Sequence, residues 1–183
     1  MPILNSKTTI TEKIIHLMIT AKCNRKCPHC CNNFYSINAI DVVTDEEFKR
    51  AEWVFLTGGE PFAYADPCMT AYEIKRKYPN IKRVFVYTNA IELGDYLKNG
   101  HLHSIDGLTI SIKCKGDKVA FENIIANNAE VLNLYSNRLY VFDGFEDTKC
   151  PSSIIKSPRK WQVEFTASPD SIFRRIENIW NKG

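Results

Sequence analysis

The chain has 183 residues, net charge +3, 44% apolar and 25% charged side chains, the profile of a single ordinary globular domain spanning 1–183. A charge this small argues for neither nucleic acid nor an anionic membrane as partner. No apolar run approaches the roughly 18 residues of a membrane span, and "MPILNSKTTITEK" lacks a signal-peptide apolar core, so a cytoplasmic protein is expected.

In chain order, "KIIHLMIT" (13–20) reads as a strand, followed by a cysteine-rich loop. Thr44 and Glu47 form a capping box opening a short helix. "EWVFLTGGE" (52–60) is a strand running into a glycine turn. Residues 65–78 are a helix, with Asp66 as N-cap and Pro67 in the first turn. Residues 82–90 are a strand, 92–99 a short helix and 106–113 a strand. Residues 117–135 form the longest helix, with Phe121, Ile124, Ile125, Val131, Leu132 and Tyr135 on one face. A strand at 138–144, a loop at 145–160, a strand at 160–168 and a last helix from Ser168-Pro169, burying Ile172, Phe173, Ile176, Ile179 and Trp180, complete the chain.

Six strands, mostly with helices between them, predict parallel strands and right-handed crossovers. Six units are too few for an eight-stranded barrel. The expected fold is therefore α/β, an open partial (β/α)6 barrel of parallel strands with outer helices. Three strands carry one polar face: His16, Met18 and Thr20; Thr109, Ser111 and Lys113; Gln162, Glu164 and Thr166. With the apolar faces under helices, the polar faces would line an interior cavity.

Four of the seven cysteines fall in "AKCNRKCPHCCNN" (21–33). Disulfides are rare in reducing compartments, and an odd count of crowded thiols does not suit them. A structural zinc site wants four ligands; His29 or Cys31 would have to be the fourth, and no second ligand pair follows at a usual distance. Cys23, Cys27 and Cys30, spaced C-x3-C-x2-C just after the first strand, suit a cubane with one iron left open for a ligand, since a fully protein-held cluster uses four cysteines. In "VFLTGGEPF", Gly58, Gly59 and Glu60 stand at the C-terminal end of the second strand, the edge at which parallel sheets bind ligands. Two glycines allow close backbone approach, and Glu60 can accept from an ammonium group.

The C-x3-C-x2-C loop followed by "GGEP" resembles the radical S-adenosylmethionine (radical SAM) enzymes, and the expected βα units extend the resemblance over nearly the whole chain. The resemblance implies that Cys23, Cys27 and Cys30 hold a [4Fe-4S] cluster whose open iron is chelated by S-adenosyl-L-methionine. It places His29 near the adenine and Gly58, Gly59 and Glu60 at the methionine ammonium. It makes Ser111, Lys113 and Asn89 further cofactor contacts by their position at strand ends. It also implies reductive cleavage to a 5′-deoxyadenosyl radical, hydrogen abstraction from a substrate, and a low-potential flavodoxin or ferredoxin as electron donor.

The remaining assignments are weaker in pattern. Gln162 and Glu164, on the polar face of the last strand, are candidates for adenosyl or substrate contact, and Cys114, one residue past Lys113, for hydrogen donation, a role also open to Cys150. Cys31 reads as a bystander thiol and Cys68 as packing; His101 and His103 read as surface residues. The 145–160 loop, with Lys149, Lys156, Arg159 and Lys160, is either a solvated connection or a segment meeting an anionic substrate or protein partner. The substrate, small molecule or peptide, is open. A glycyl-radical-enzyme activase, which Asn32 suits, is the alternative within the resemblance. A non-catalytic iron–sulfur or zinc structural protein is the alternative outside it. A 7-carboxy-7-deazaguanine synthase is disfavoured by Cys31-Asn32, where an acidic residue and Ser or Thr would stand.

Overall fold

The computed structural model describes residues 13–100, 102–161 and 170–179. Its centre is one open, seven-stranded, all-parallel sheet. The strands are β1 (Ile14–Thr20), β2 (Trp53–Gly58), β3 (Arg83–Thr88), β4 (Gly107–Ile112), β5 (Arg138–Phe142), β6 (Ile155–Arg159) and β7 (Ser171–Arg175). They lie in the order β6-β5-β4-β3-β2-β1-β7, so successive strands are neighbours until β7, which crosses to the free edge of β1. Among the described residues, the helices are α1 (Asp45–Arg50), α2 (Pro61–Tyr64), α3 (Pro67–Lys77), α4 (Leu93–Lys98) and α5 (Lys115–Leu132), and none is long and apolar enough to cross a membrane.

The helix boundaries follow local chemistry. Thr44 caps α1 and Glu47 reaches back to the Thr44 N–H, the expected capping box. Asp66 accepts from Met69 N–H ahead of Pro67 and starts α3. The longest helix starts two residues earlier than the sequence predicts and ends at Leu132, with a non-helical Asn128 (φ −139°, ψ 21°) inside it.

Alternate residues of each strand face opposite ways. Ile15, Leu17 and Ile19 of β1, Val54 and Leu56 of β2, Val84 and Val86 of β3, and Leu108, Ile110 and Ile112 of β4 join one core with Phe48, Ala71, Ile74, Leu93, Leu97, Phe121 and Ile124 from the helices. The helices thus cover a single face. On the other face β2 and β3 present aromatic rings: Phe55 stacks on Phe85 at 5.0 Å and on His16 at 5.1 Å, and Trp53 on Phe85 at 5.7 Å.

Two expectations near the C-terminus are corrected. Residues 155–159, expected within a loop, form β6, paired in parallel with β5. Residues 171–175, expected in a helix, form β7, paired in parallel with β1 from Ile14↔Ser171 to Met18↔Arg175. The β1 edge offers unsatisfied backbone groups, and pairing there satisfies them more fully than an isolated helical turn. Ile172 still reaches the main core, and Ile179 packs with Met18 and Ile40. The expected strand at 160–168 lies almost wholly outside the described residues. No helix separates β5 from β6, in keeping with the loop expected after the fifth strand.

Candidate functional site

At the C-terminal ends of the strands, on the face away from the helices, lies a cavity of about 420 Å³. Arg159 of β6 and Phe173 of β7, from opposite edges of the sheet, both line it, so the sheet curls around the space. Among the residues expected to serve together, Cys23, Cys27, His29, Cys30, Gly58, Gly59, Glu60, Asn89, Ser111 and Lys113 all line this one cavity. Cys114 is the residue preceding α5 and is not among the lining residues. Gln162 and Glu164 lie outside the described residues. Cys68 and Cys150 pack against the main core, Cys150 with its thiol directed at the Pro151 and Ile154 carbonyls. His103 is exposed.

The loop carrying the thiols is fastened at three strand ends. Gly59 N–H donates to Thr20 O at 2.8 Å and Glu60 N–H to Lys22 O at 2.9 Å, joining the loop to the end of β2. A Cβ on Gly59 would lie 1.9 Å from Lys22 O, so only glycine permits this approach; Gly58, at φ +132°, needs glycine for its backbone conformation. Asn32 Nδ2 adds a bond to Gly58 O at 3.3 Å. Asn89 Nδ2, past β3, donates to Asn24 Oδ1 at 2.7 Å. Beyond β4, Arg25 meets Asp117 Oδ1 through Nε at 3.0 Å and Nη2 at 2.8 Å. The second Asp117 oxygen accepts from Lys113 N–H at 3.1 Å. Asp117 is 1% exposed, and Arg25 supplies the charge its burial demands.

All seven cysteines are free thiols. Cys23 and Cys27 are pushed upward, chiefly by burial. Cys30 is drawn down to about 6, first by its hydrogen bond with the Cys31 thiol, then by the Asn32 backbone and the Lys113 ammonium; Cys31 is raised in return. Cys30 is thus the thiol most ready to be a thiolate, the form that binds metal. Among the described residues no three His, Cys, Asp or Glu side chains converge on one metal position. Ligands of a polynuclear cluster need not converge, because each binds a different metal atom.

Glu60 is 1% exposed and caps α2. Its Oε1 accepts from Thr88 Oγ1 at 2.7 Å and Phe62 N–H at 3.3 Å, and its Oε2 from Asn89 N–H at 2.8 Å. Among the described residues it has hydrogen-bond donors and no cation, and burial holds its pKa above the ordinary value despite those bonds. A carboxylate buried without a counter-charge, on a wall with a spare acceptor direction, is suited to an arriving ammonium group.

The rest of the lining was only partly anticipated. His16, Ser111 and Lys113 come from the expected polar faces, but Tyr87, Tyr140, Phe142 and Trp161 make much of the wall aromatic. Trp161 bridges the thiol loop and β5, with its ring 5.5 Å from His29 and 4.6 Å from Phe142. The Arg25–Asp117 pair spans 92 positions, and no local pattern announces it. Compared against protein-family models and against curated proteins, the chain matches none.

Proposed function

We propose that the chain is a radical SAM enzyme, its curled parallel sheet serving as the partial barrel of that chemistry. The observation that carries this reading is one cavity shared by three thiols at C-x3-C-x2-C spacing, a glycine turn packed on the thiol loop's backbone, and the buried carboxylate of Glu60, which meets no cation among the described residues. Cys23, Cys27 and Cys30 would hold a [4Fe-4S] cluster, with Cys31 beside it as a spare. When bound, the cluster and S-adenosyl-L-methionine supply reductive cleavage of the sulfonium bond to a 5′-deoxyadenosyl radical that abstracts hydrogen from the substrate.

The chain's own residues bind and orient. Gly58 and Gly59 bring the end of β2 against the thiol loop's own backbone and so set Glu60 beside the thiols, where its carboxylate would partner the methionine ammonium. Lys113, the cation that acts on all four loop thiols, offsets the negative charge gathered there. Arg25–Asp117 and Asn24–Asn89 hold the loop against β4 and β3. His29 and Trp161, with ring centres 5.5 Å apart, offer ring faces within the cavity lining. A low-potential flavodoxin or ferredoxin would supply the electron.

The test is anaerobic reconstitution with iron and sulfide, then dithionite and S-adenosyl-L-methionine. Expected are an iron–sulfur absorbance and 5′-deoxyadenosine, with both lost in Cys27→Ala. An intact cluster that yields no 5′-deoxyadenosine refutes the enzyme reading; a cluster that survives Cys27→Ala refutes the ligand assignment.

A further inference from the structure

The cavity has two unlike walls. One holds the thiol loop, the glycine turn, Glu60 and Lys113. The other, from β5 and β6 and the residues just after, holds Tyr140, Phe142, Arg159, Lys160 and Trp161. Nothing in the proposed function uses Tyr140, Arg159 or Lys160.

The second wall joins flat rings to positive charge. The Arg159 guanidinium lies 4.1 Å from the centre of the Tyr140 ring. A guanidinium stacked face-on keeps its N–H donors directed outward in its own plane, where they can grip a carboxylate or phosphate with two bonds. Of the two carboxylates lining the cavity, Asp117 is engaged by Arg25 and Glu60 is enclosed by Thr88, Asn89 and Phe62. Among the described residues neither makes an ion pair with Arg159 or Lys160, and no other carboxylate does. Arg159 and Lys160, both exposed at the cavity's edge, therefore have no carboxylate partner among the described residues and are open to an anion arriving from solvent.

Size and depth narrow the ligand further. Below the cavity, the rings of Trp53, Phe55 and Phe85 stack on one another and are absent from its lining. They fill the lower part of the curled sheet and leave His16 and Tyr87 as the floor. The whole cavity measures about 420 Å³, and on the radical SAM reading the cluster and S-adenosyl-L-methionine share it, so it admits only a compact small molecule beside them. Tyr140, Phe142 and Trp161 favour a flat ring over an aliphatic or sugar-like body.

We infer that the substrate is a planar aromatic or heteroaromatic anion, with its carboxylate or phosphate held by Arg159 and Lys160 and its ring against Tyr140, Phe142 and Trp161. Calling this ligand the substrate rests on the radical SAM reading; the anion site itself does not.

The test uses reconstituted protein with S-adenosyl-L-methionine and no reductant, titrated calorimetrically with two matched pairs: orotate against uracil, and guanosine 5′-monophosphate against guanosine. In at least one pair the anion should bind about tenfold or more tighter than its neutral partner, and raising the salt should erode the difference. Arg159→Gln and Lys160→Gln should each remove most of that preference, Arg159→Lys should keep part of it, and Tyr140→Ala should weaken both members of the pair. A thermal melt of each variant separates lost binding from lost folding. Equal binding within both pairs, no saturable binding of either anion, or wild-type preference in a folded Arg159→Gln, Lys160→Gln double variant overturns the inference. Dithionite-driven 5′-deoxyadenosine formation, measured with no ring compound present, reports the radical reading separately. An anion preference without cleavage would sink that reading and leave the anion site standing.

Discussion

Gly59→Ala is the sharpest test of how the thiol loop is held. The added Cβ would sit 1.9 Å from Lys22 O, 2.4 Å from Lys22 C and 2.9 Å from Cys23 N, all backbone atoms. With ordinary contact at roughly 3.5 Å, the loop must retreat by about 1.5 Å. That retreat breaks the Gly59 N–H to Thr20 O and Glu60 N–H to Lys22 O bonds. At about 1 kcal/mol net for each bond, the expected loss is about 2 kcal/mol. For a chain of this length that lowers the melting midpoint by about 4–8 °C. Circular dichroism measures the midpoint, and the rate of thiol modification by a disulfide reagent reports the loop directly. Gly94→Ala is the control: its Cβ would meet only Ile124 Cγ1, at 4.0 Å, and it lies in the first turn of α4. It should be neutral or stabilise by up to about 1 kcal/mol. If Gly59→Ala melts with the wild type and its thiols react no faster, the loop is not held by this approach.

Asp117→Asn should loosen the loop from the β4 end, raising the reactivity of Cys23 and Cys27 while leaving α5 folded; unchanged thiol reactivity counts against the Arg25 fastening. Glu60→Gln removes the buried charge but sets an amide donor against one of its present donors, so its effect on the melting midpoint should be small. On the proposed function, S-adenosyl-L-methionine should raise the midpoint of the reconstituted wild type and raise it far less in this variant; an undiminished rise would release Glu60 from the proposed ammonium role. Glu47 is partly desolvated, which raises its pKa, but Arg174 at 2.7–2.8 Å and the Thr44 N–H outweigh this and hold it below its ordinary 4.5. A depressed carboxylate stabilises above its unfolded pKa and loses that contribution as pH falls through the folded value. The stability gap between wild type and Glu47→Gln should therefore be full at pH 7 and close below about pH 4; a gap independent of pH in denaturant titrations would refute the pairing.

The first five strands were legible because each carries an aliphatic row that the helices must cover, and the helix starts because Thr44, Glu47, Asp66 and Pro67 act locally. The last two strands were not legible for a different reason. "IKSPR" has a proline, a serine and two cations in five positions; it is a strand because the β5 edge imposes pairing on it, and Pro158 suits only such an edge. "SIFRR" follows Ser-Pro-Asp, a fair helix start, and its apolar residues also fit a helical spacing. The free backbone of β1 decides for a strand, and that edge is more than 150 residues away in the chain.

The site shows the same division between local and distant causes. The thiol spacing and the glycine turn are contiguous signals, so they were legible, and their meeting followed from both lying at strand ends. The aromatic wall was hidden in plain view. In β2, β3 and β5 the side chains alternate between aliphatic and aromatic: Val54 and Leu56 against Trp53 and Phe55, Val84 and Val86 against Phe85 and Tyr87, Leu139 and Val141 against Tyr140 and Phe142. A hydropathy pattern counts both rows as apolar and sees a strand buried on two equal faces. Shape distinguishes them. Branched aliphatic residues interdigitate with helices, whereas flat rings can line a space and present their faces to a ligand. Reading period two in side-chain shape as well as in polarity would have marked the inner face of these strands.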